Sequence, residues 1–456
     1  MRTCGIQQRN SPHGRTWLYA MVVALGGLLF GYDTSVISGA ILFVRPYFHW
    51  GSFATELAVS IVLAGALSGA AVGGFLSDRF GRKRLQIANA TVFAVFAVLT
   101  GIAKTTALFV IGRFMVGVAV GVTSMVTPLY IAEISPPAIR GAMVQLNQLM
   151  ISVGVAVAYA VAWLLSKNQN WRMMFASAVL PSAILLVSVF CLPESPRWLA
   201  ANGSLESARA VLNRVYGPTE TDLAMAEFVA IIQTEKVKVR DLFTRSLRRP
   251  LLAGAGLALF QQITGANTII YYTPIVLLMA GFKSASNAIL TTFVIGSMSA
   301  VFAVGAMPLL DRVGRRRLLL ISVSGMFACL TLIGYYFGTP RMSPLLVVCA
   351  FLLYLAFFQV GLGPVFWLLI SEIYPTRIRG QAMSVASVTV WAADWLVAFS
   401  FLTLLDRVGV RGSFWLYGLA CAIAFIFIYR VVPETKGRTL EEIEAGWLTE
   451  EVGVER

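Results

Sequence analysis

Twelve apolar stretches follow one another along almost the whole chain, each long enough to cross a lipid bilayer as a helix, which takes about 20 residues. They fall near residues 17–44, 54–76, 85–103, 107–129, 143–165, 171–192, 250–280, 287–310, 316–338, 344–370, 380–404 and 413–432 of 456. With 58% hydrophobic and 13% charged residues and a mean hydropathy of +0.77, against about 45–50% apolar usage in soluble domains, the chain reads as an all-α membrane protein. The first stretch follows Arg15, but polar residues interrupt it and no small-residue cleavage site closes it. It is expected to be retained rather than removed as a signal peptide.

A net charge of +14 would suit a nucleic-acid partner, but the placement of the charge argues for topology. With twelve crossings and the N-terminus inside the cell, 27 of the 36 lysines and arginines fall on the inner side. Eight fall outside (Arg45, Lys104, Lys167, Arg172, Lys283, Arg341, Arg407 and Arg411), and Arg113 lies within a span. That asymmetry is the positive-inside rule. It predicts a multi-pass protein of the cell membrane, the inner membrane in a Gram-negative cell, with both termini cytoplasmic and no nucleic-acid partner. Five scattered cysteines, four of them inside spans, form no CxxC pair and read as small core residues rather than metal ligands or a disulfide framework. His13 and His49 are isolated near span ends and read as structural.

The chain repeats itself. "DRFGRKRL" at 78–85 recurs as "DRVGRRRL" at 311–318, "EISPPAIRG" at 133–141 as "EIYPTRIRG" at 372–380, and "PESPRWL" at 193–199 is echoed by "PETKGRTL" at 433–440. Three matches in one order, at offsets of 233, 239 and 240, mean a duplicated six-span unit. The expected units are a bundle over 1–192, a cytoplasmic linker over 193–249, a second bundle over 250–432 and a cytoplasmic tail over 433–456. The linker's apolar residues recur at helical spacing among charges, which predicts short amphipathic helices. Gly65, Gly69 and Gly73, and Gly117 and Gly121, have the four-residue spacing of close helix contacts in lipid. Two parallel six-span halves with a site between them are the architecture of secondary transporters that work by alternating access.

Six stretches carry a family resemblance: "GGFLSDRFGRKR", "RFMVGVAVGVTSMVTPLYIAEISPPAIRG", "PESPRWL", "FQQITGANTIIYYTP", "GPVFWLLISEIYPTRIRG" and "PETKGRTLEEIE". In this order, over about residues 17–444, they resemble the signatures of the sugar porter family within the major facilitator superfamily. The resemblance implies the major facilitator fold and transport of a small neutral sugar or polyol. It implies no cofactor other than a coupling proton, with the chain expected to act as a monomer in the bilayer. It also implies a cytoplasmic ion-pair network of Asp78, Arg82, Glu133, Arg140, Asp311, Arg315, Glu372 and Arg379 that holds the outward-open state shut on the inside. The alternative is that these are orientation charges only, since single surface pairs are weak.

Polar residues inside spans carry the substrate argument. Gln148 lies in the fifth span, Gln261, Gln262 and Asn267 in the seventh, Trp367 in the tenth and Trp391 in the eleventh. Carboxamides donate and accept, as hydroxyls do, and indoles offer an apolar face with one N–H, a combination that fits a neutral sugar. In the family resembled, the positions matching these six contact the sugar, and those matching Tyr271 and Tyr272 help close the outer side. Gly265 and Pro274 bracket a stretch where the seventh helix can bend. The chain departs from the family at Ser299 and Val390, where Asn, or Asn or Gln, is common, so both are expected to lose amide contacts. Asp394 stands where Asn is frequent. These three, with Phe30, are the candidate substrate-tuning residues.

Asp33, Arg113 and Asp394 are the charged side chains expected well inside spans. An intramembrane charge costs about 3 kcal/mol on insertion scales and usually has a task. The first and fourth helices run in opposite directions, so Asp33 and Arg113 can share the outer half. Residues matching this pair couple the proton in the bacterial xylose, galactose and arabinose symporters that the chain resembles, whereas facilitative glucose transporters lack the acid. Burial and a nearby guanidinium act oppositely on a carboxylate's hold on its proton, so a change in their separation can load and release one. Proton symport of a hexose or pentose is thus the expected function. A facilitative uniporter, a proton-coupled inositol-type polyol symporter and, remotely, a transporter-like nutrient sensor are the alternatives. No GxxxxGK, HExxH or GxSxG motif occurs, so neither an enzyme nor an ATP-driven pump is expected.

Overall fold

Lipid offers no partners to backbone N–H and C=O groups, so an apolar chain crosses it only with its hydrogen bonds closed within each segment. The computed structural model describes residues 12–136, 139–216, 221–222, 225–226, 247–339, 343–374 and 379–436, and every regular element among them is an α-helix. Helices α1 (Pro12–Tyr47), α2 (Ser52–Phe80), α3 (Arg82–Gly101), α4 (Thr106–Ile134) and α5 (Arg140–Ser166) are the first five crossings; α6 (Trp171–Ala176) and α7 (Val179–Phe190) make the sixth. Two short helices, α8 (Pro196–Ala201) and α9 (Leu205–Val215), follow. The second half holds α10 (Arg248–Ile263), α11 (Ala266–Met279), α12 (Ala285–Val313), α13 (Arg315–Gly338), α14 (Leu345–Val360), α15 (Leu362–Ile373) and α16 (Arg379–Val431).

Among the described residues, ten helical segments are long and apolar enough to cross a membrane. One of them, along α16, folds back at Gly409 (φ 78°) and is two crossings. The seventh crossing is divided between α10 and α11, so the fold is the expected twelve-helix membrane bundle of two six-helix halves. The seventh-helix break falls at Gly265, whose φ of +91° is in the left-handed region open to glycine. Pro274 stays inside α11 without ending it. The tenth crossing is also divided, at Gly361.

The glycine rows do what their spacing predicts. A Cβ on Gly65 would stand 3.0 Å from Gly117 Cα, and one on Gly117 would stand 2.9 Å from Val62 Cα, so α2 and α4 meet backbone to backbone. Gly31 and Gly154 bring α1 and α5 together in the same way. In the linker, α9 buries Ala208, Val211, Leu212 and Val215 on one side and docks on α1, where Thr16 Oγ1 donates to the Val215 carbonyl at 3.0 Å. Residues 227–246 of the linker and the tail beyond 436 lie outside the described residues. Cys329 and Cys421 are buried as expected, but Cys191 and Cys349 are exposed, so those two are not core residues.

The joins of α2 with α3 and of α12 with α13 share one face of the bundle, the charged face. The two halves meet at the opposite, far face. There Ser166 and Ser286 hydroxyls pair at 3.0 Å between α5 and α12, and Tyr159 Oη donates to the Ile270 carbonyl at 2.9 Å between α5 and α11. Phe53 of α2 meets Phe399 of α16 edge-on at 5.6 Å.

Candidate transport site

Asp33 and Arg113 lie in the far-face halves of α1 and α4, and the structure pairs them. Arg113 Nη1 donates to Asp33 Oδ1 at 2.6 Å, with side-chain exposures of 0% and 5% for the arginine and the aspartate. The guanidinium also stands over the Phe175 ring at 5.4 Å. Asp33 Oδ2 and Arg113 Nε and Nη2 find no protein partner among the described residues. A bidentate fork would commit both oxygens to parallel bonds; this pair neutralises its charges through one bond. Each partner left alone would be an uncompensated buried charge, which is far costlier than the pair.

The second half supplies a chain of carboxamides that spans the Gly265 break. Gln261 Nε2 donates to the Gly363 carbonyl at 3.2 Å, and Gln262 Nε2 reaches Gln261 Oε1 at 3.5 Å. Asn267 Nδ2 donates to Gln262 Oε1 at 2.9 Å and to Asp394 Oδ2 at 3.0 Å. Tyr271 Oη donates to the same Asp394 oxygen at 3.0 Å, while Asp394 Oδ1 is buried with no protein partner among the described residues. The neighbouring Tyr272 turns the other way, donating to the Ala398 carbonyl at 2.9 Å. Asp394, grouped by sequence with Phe30, Ser299 and Val390, is bonded here to Asn267 and Tyr271, without a cation within ion-pair distance among the described residues.

Phe30 of α1 and Trp391 of α16 bring their rings to 5.5 Å across the two halves, beside buried Val390. Gln148 is exposed on α5 and Trp367 is 42% exposed on α15, so neither packs into the bonded cluster. Ser299 does not simply lose an amide contact. Its hydroxyl accepts from Gln359 Nε2 at 2.9 Å, so a carboxamide from the tenth crossing stands beside the eighth. Sequence reasoning missed Gln359, although an amide inside an apolar run is the same signal that marked Gln148.

At the charged face the repeated motifs build two copies of one device. Arg82 forks onto Glu133 with Nε to Oε2 at 2.8 Å and Nη2 to Oε1 at 3.0 Å, and Arg315 forks onto Glu372 with its Nη2 2.9 Å from Oε1. Asp78 stands 3.1 Å from Arg82 but is 72% exposed. Arg140 Nε reaches the Ser135 carbonyl at 3.4 Å rather than an acid. Asp311 and Arg379 lie outside the described side chains. The PES and PET motifs complete each copy, a role not read from sequence. Ser195 Oγ donates to Glu133 at 2.6 Å and Thr435 Oγ1 to Glu372 at 2.5 Å. Glu194 accepts from the backbone N–H of Arg82 and Lys83, and Glu434 from that of Arg315 and Arg316. Each carboxylate thus caps the positive N-terminus of a helix, against a glycine (Gly81 or Gly314) that leaves it room. Among the described residues these ion pairs stay within one half, and at this face no ion pair joins the halves.

A far face closed by contacts between the halves, a charged face with no cross-half ion pair among the described residues and polar residues gathered between two six-helix bundles are the architecture of a membrane transporter. The chain belongs to the sugar (and other) transporter family, whose family model matches residues 19–447; proteins of this family are transporters and not enzymes. It is 34% identical to an arabinose-proton symporter of Bacillus subtilis, over 96% of this chain and 97% of that one. It is 38% identical to a D-xylose transporter of Levilactobacillus brevis, over 92% and 93%. Its fold matches the inward-open xylose transporter XylE of E. coli with a TM-score of 0.83 at 32% identity, covering 95% of this chain and 100% of that one.

Proposed function

We propose that this protein is a proton-coupled symporter of a neutral monosaccharide, a hexose or pentose, working by alternating access. The observation that carries the reading is the buried Asp33–Arg113 pair. A carboxylate and a guanidinium held by one hydrogen bond between two helices can be drawn apart when the helices move, and the freed carboxylate takes up a proton in place of its cation. Relatives that carry arabinose with protons and that carry xylose support the same reading. In this proposal the charged face is cytoplasmic in the cell membrane, both termini lie inside and a single chain suffices. The N-terminal bundle (1–192) and C-terminal bundle (250–432) rock about the site, joined by the linker 193–249.

Gln261, Gln262, Asn267 and Trp391 hold the sugar from the second half. Gln148 and Trp367, exposed here, close on it from the two sides of the inward opening; an amide facing lipid would be costly. Phe30, Ser299 with Gln359, Val390 and Asp394 tune which sugar fits. Tyr271 and Tyr272 on α11 gate the extracellular side, pivoting at Gly265. One proton moving through 100 mV supplies about 2.3 kcal/mol, enough at about 1.4 kcal/mol per tenfold for a roughly 40-fold accumulation of a neutral solute.

The test is uptake by cells or proteoliposomes of a panel of sugars and polyols, with external pH recorded and a protonophore control. One monosaccharide is expected to be accumulated, to alkalinise the medium on addition and to lose its accumulation with the protonophore. Uptake that leaves external pH unchanged and ignores the protonophore would instead make the chain a uniporter.

A further inference from the structure

Glu56 lies in the first two turns of α2, near the far face, and is 1% exposed. No lysine or arginine pairs with it among the described residues. Its carboxylate crosses instead to the other half of the molecule. Thr403, inside the helical run of α16 six residues before the Gly409 break, donates to it twice: its backbone N–H to Oε1 at 2.5 Å and its hydroxyl to Oε2 at 2.6 Å. A mid-helix N–H is ordinarily committed to the carbonyl four residues before it. Sharing it with Glu56 ties the backbone of α16, and not only a side chain, to α2.

Within the second half, Tyr272 fixes this stretch of α16: it donates to the Ala398 carbonyl on the adjoining turn and sets its ring at a tilt 4.9 Å from that of Phe401. One turn nearer the far face on α2, Phe53 covers the junction against Phe399. Both carboxylate oxygens accept from the opposite half, so the halves part at this face only by breaking two hydrogen bonds to a charged group and exchanging them for water. We infer that Glu56 is the far-face latch of the carrier: its two bonds to Thr403 exist only while that face is shut, and they set the balance between the two facing states. The inference rests on transport by alternating access, but not on the identity of the sugar or on proton coupling.

Hydrogen–deuterium exchange on the full-length protein in lipid nanodiscs, with no solute added, tests it. Glu56→Ala is expected to shift the balance toward the state open at the far face by about tenfold. Exchange then rises at the far-face segments 53–60 and 395–404 and falls at the charged-face segments 82–90 and 315–320. Thr403→Val keeps the backbone donor and loses the hydroxyl, so it is expected to move the same segments in the same directions by less. Faster exchange at both faces, or no change at the far face in either variant, overturns the latch and leaves Glu56 a buried acceptor for local stability. Because no solute is present, this outcome is separate from that of the sugar-uptake panel.

Discussion

The carboxylate of Asp33 has one cation to answer to, and that makes its role testable by a single atom. Asp33→Asn keeps the shape of the side chain and leaves Arg113 without its anion. Net uphill uptake is expected to fall from as much as roughly 40-fold accumulation to none, while exchange of labelled for unlabelled sugar across a vesicle membrane continues. Active accumulation at wild-type level by this variant would remove Asp33 from the coupling step. Asp33 and Arg113 were legible in the sequence because ionisable groups in apolar runs are conspicuous, and Asp394 for the same reason. Glu56 was not. It stands a few residues inside the start of its span, where a carboxylate is ordinarily free to reach the interface, and only the arrival of Thr403 from another crossing buries it.

Helices in this protein are positioned by what they lack. The α2–α4 contact depends on glycines whose missing Cβ lets a carbonyl of the partner approach; Gly121 receives the backbone of Ala66 and Ala70. Gly121→Val is expected to push the helices apart and cost about 1–3 kcal/mol, as overpacking does, lowering the thermal midpoint of the detergent-solubilised protein. A midpoint unchanged within error would mean that the contact is softer than its geometry. The Gly65/Gly69 and Gly117/Gly121 rows could be read in advance because a four-residue period is a local signal. Gly31 and Gly154 make an equally close contact between α1 and α5; Gly27 stands four residues before Gly31, a period present in the sequence but not picked out, whereas Gly154 has no glycine at that spacing to announce it. The seventh-helix break shows the same division: a glycine before a proline marked the region, but the turn fell at Gly265 because only there does the chain take a positive φ, while Pro274 is accommodated within α11.

Across the whole molecule, two sets of contacts oppose one another. Glu56 joins the halves at the far face, and the Glu133–Arg82 and Glu372–Arg315 forks wait at the charged face, each braced by Ser195 or Thr435. If the forks support closure of the charged face in the other state, Glu133→Gln weakens that closure and favours the state seen here. Its exchange pattern is then expected to be the reverse of the Glu56→Ala pattern: faster at 82–90 and slower at 53–60. The double variant is expected to lie between the two singles, near wild type. A Glu133→Gln pattern with the same sign as that of Glu56→Ala would confine the forks to stability within each half.

The sequence by itself determined the twelve crossings, the duplication and the family, because hydropathy, charge asymmetry and repeated motifs are properties of the chain read in order. It also marked many of the polar residues that stand inside crossings, Asp33, Arg113, Asp394 and the carboxamides of the seventh among them, though not Gln359 or Glu56. Tertiary structure alone decided which of them meet. Asn267 and Tyr271 converge on one oxygen of Asp394, Gln359 finds Ser299, the PES and PET carboxylates cap helices more than a hundred residues away, and Glu56 reaches Thr403 across the two halves. The reason is physical. A hydrogen bond is satisfied by whatever donor the packing brings within about 3 Å, and in a bundle of this kind the packing is set by close helix contacts whose partners lie far apart in the chain.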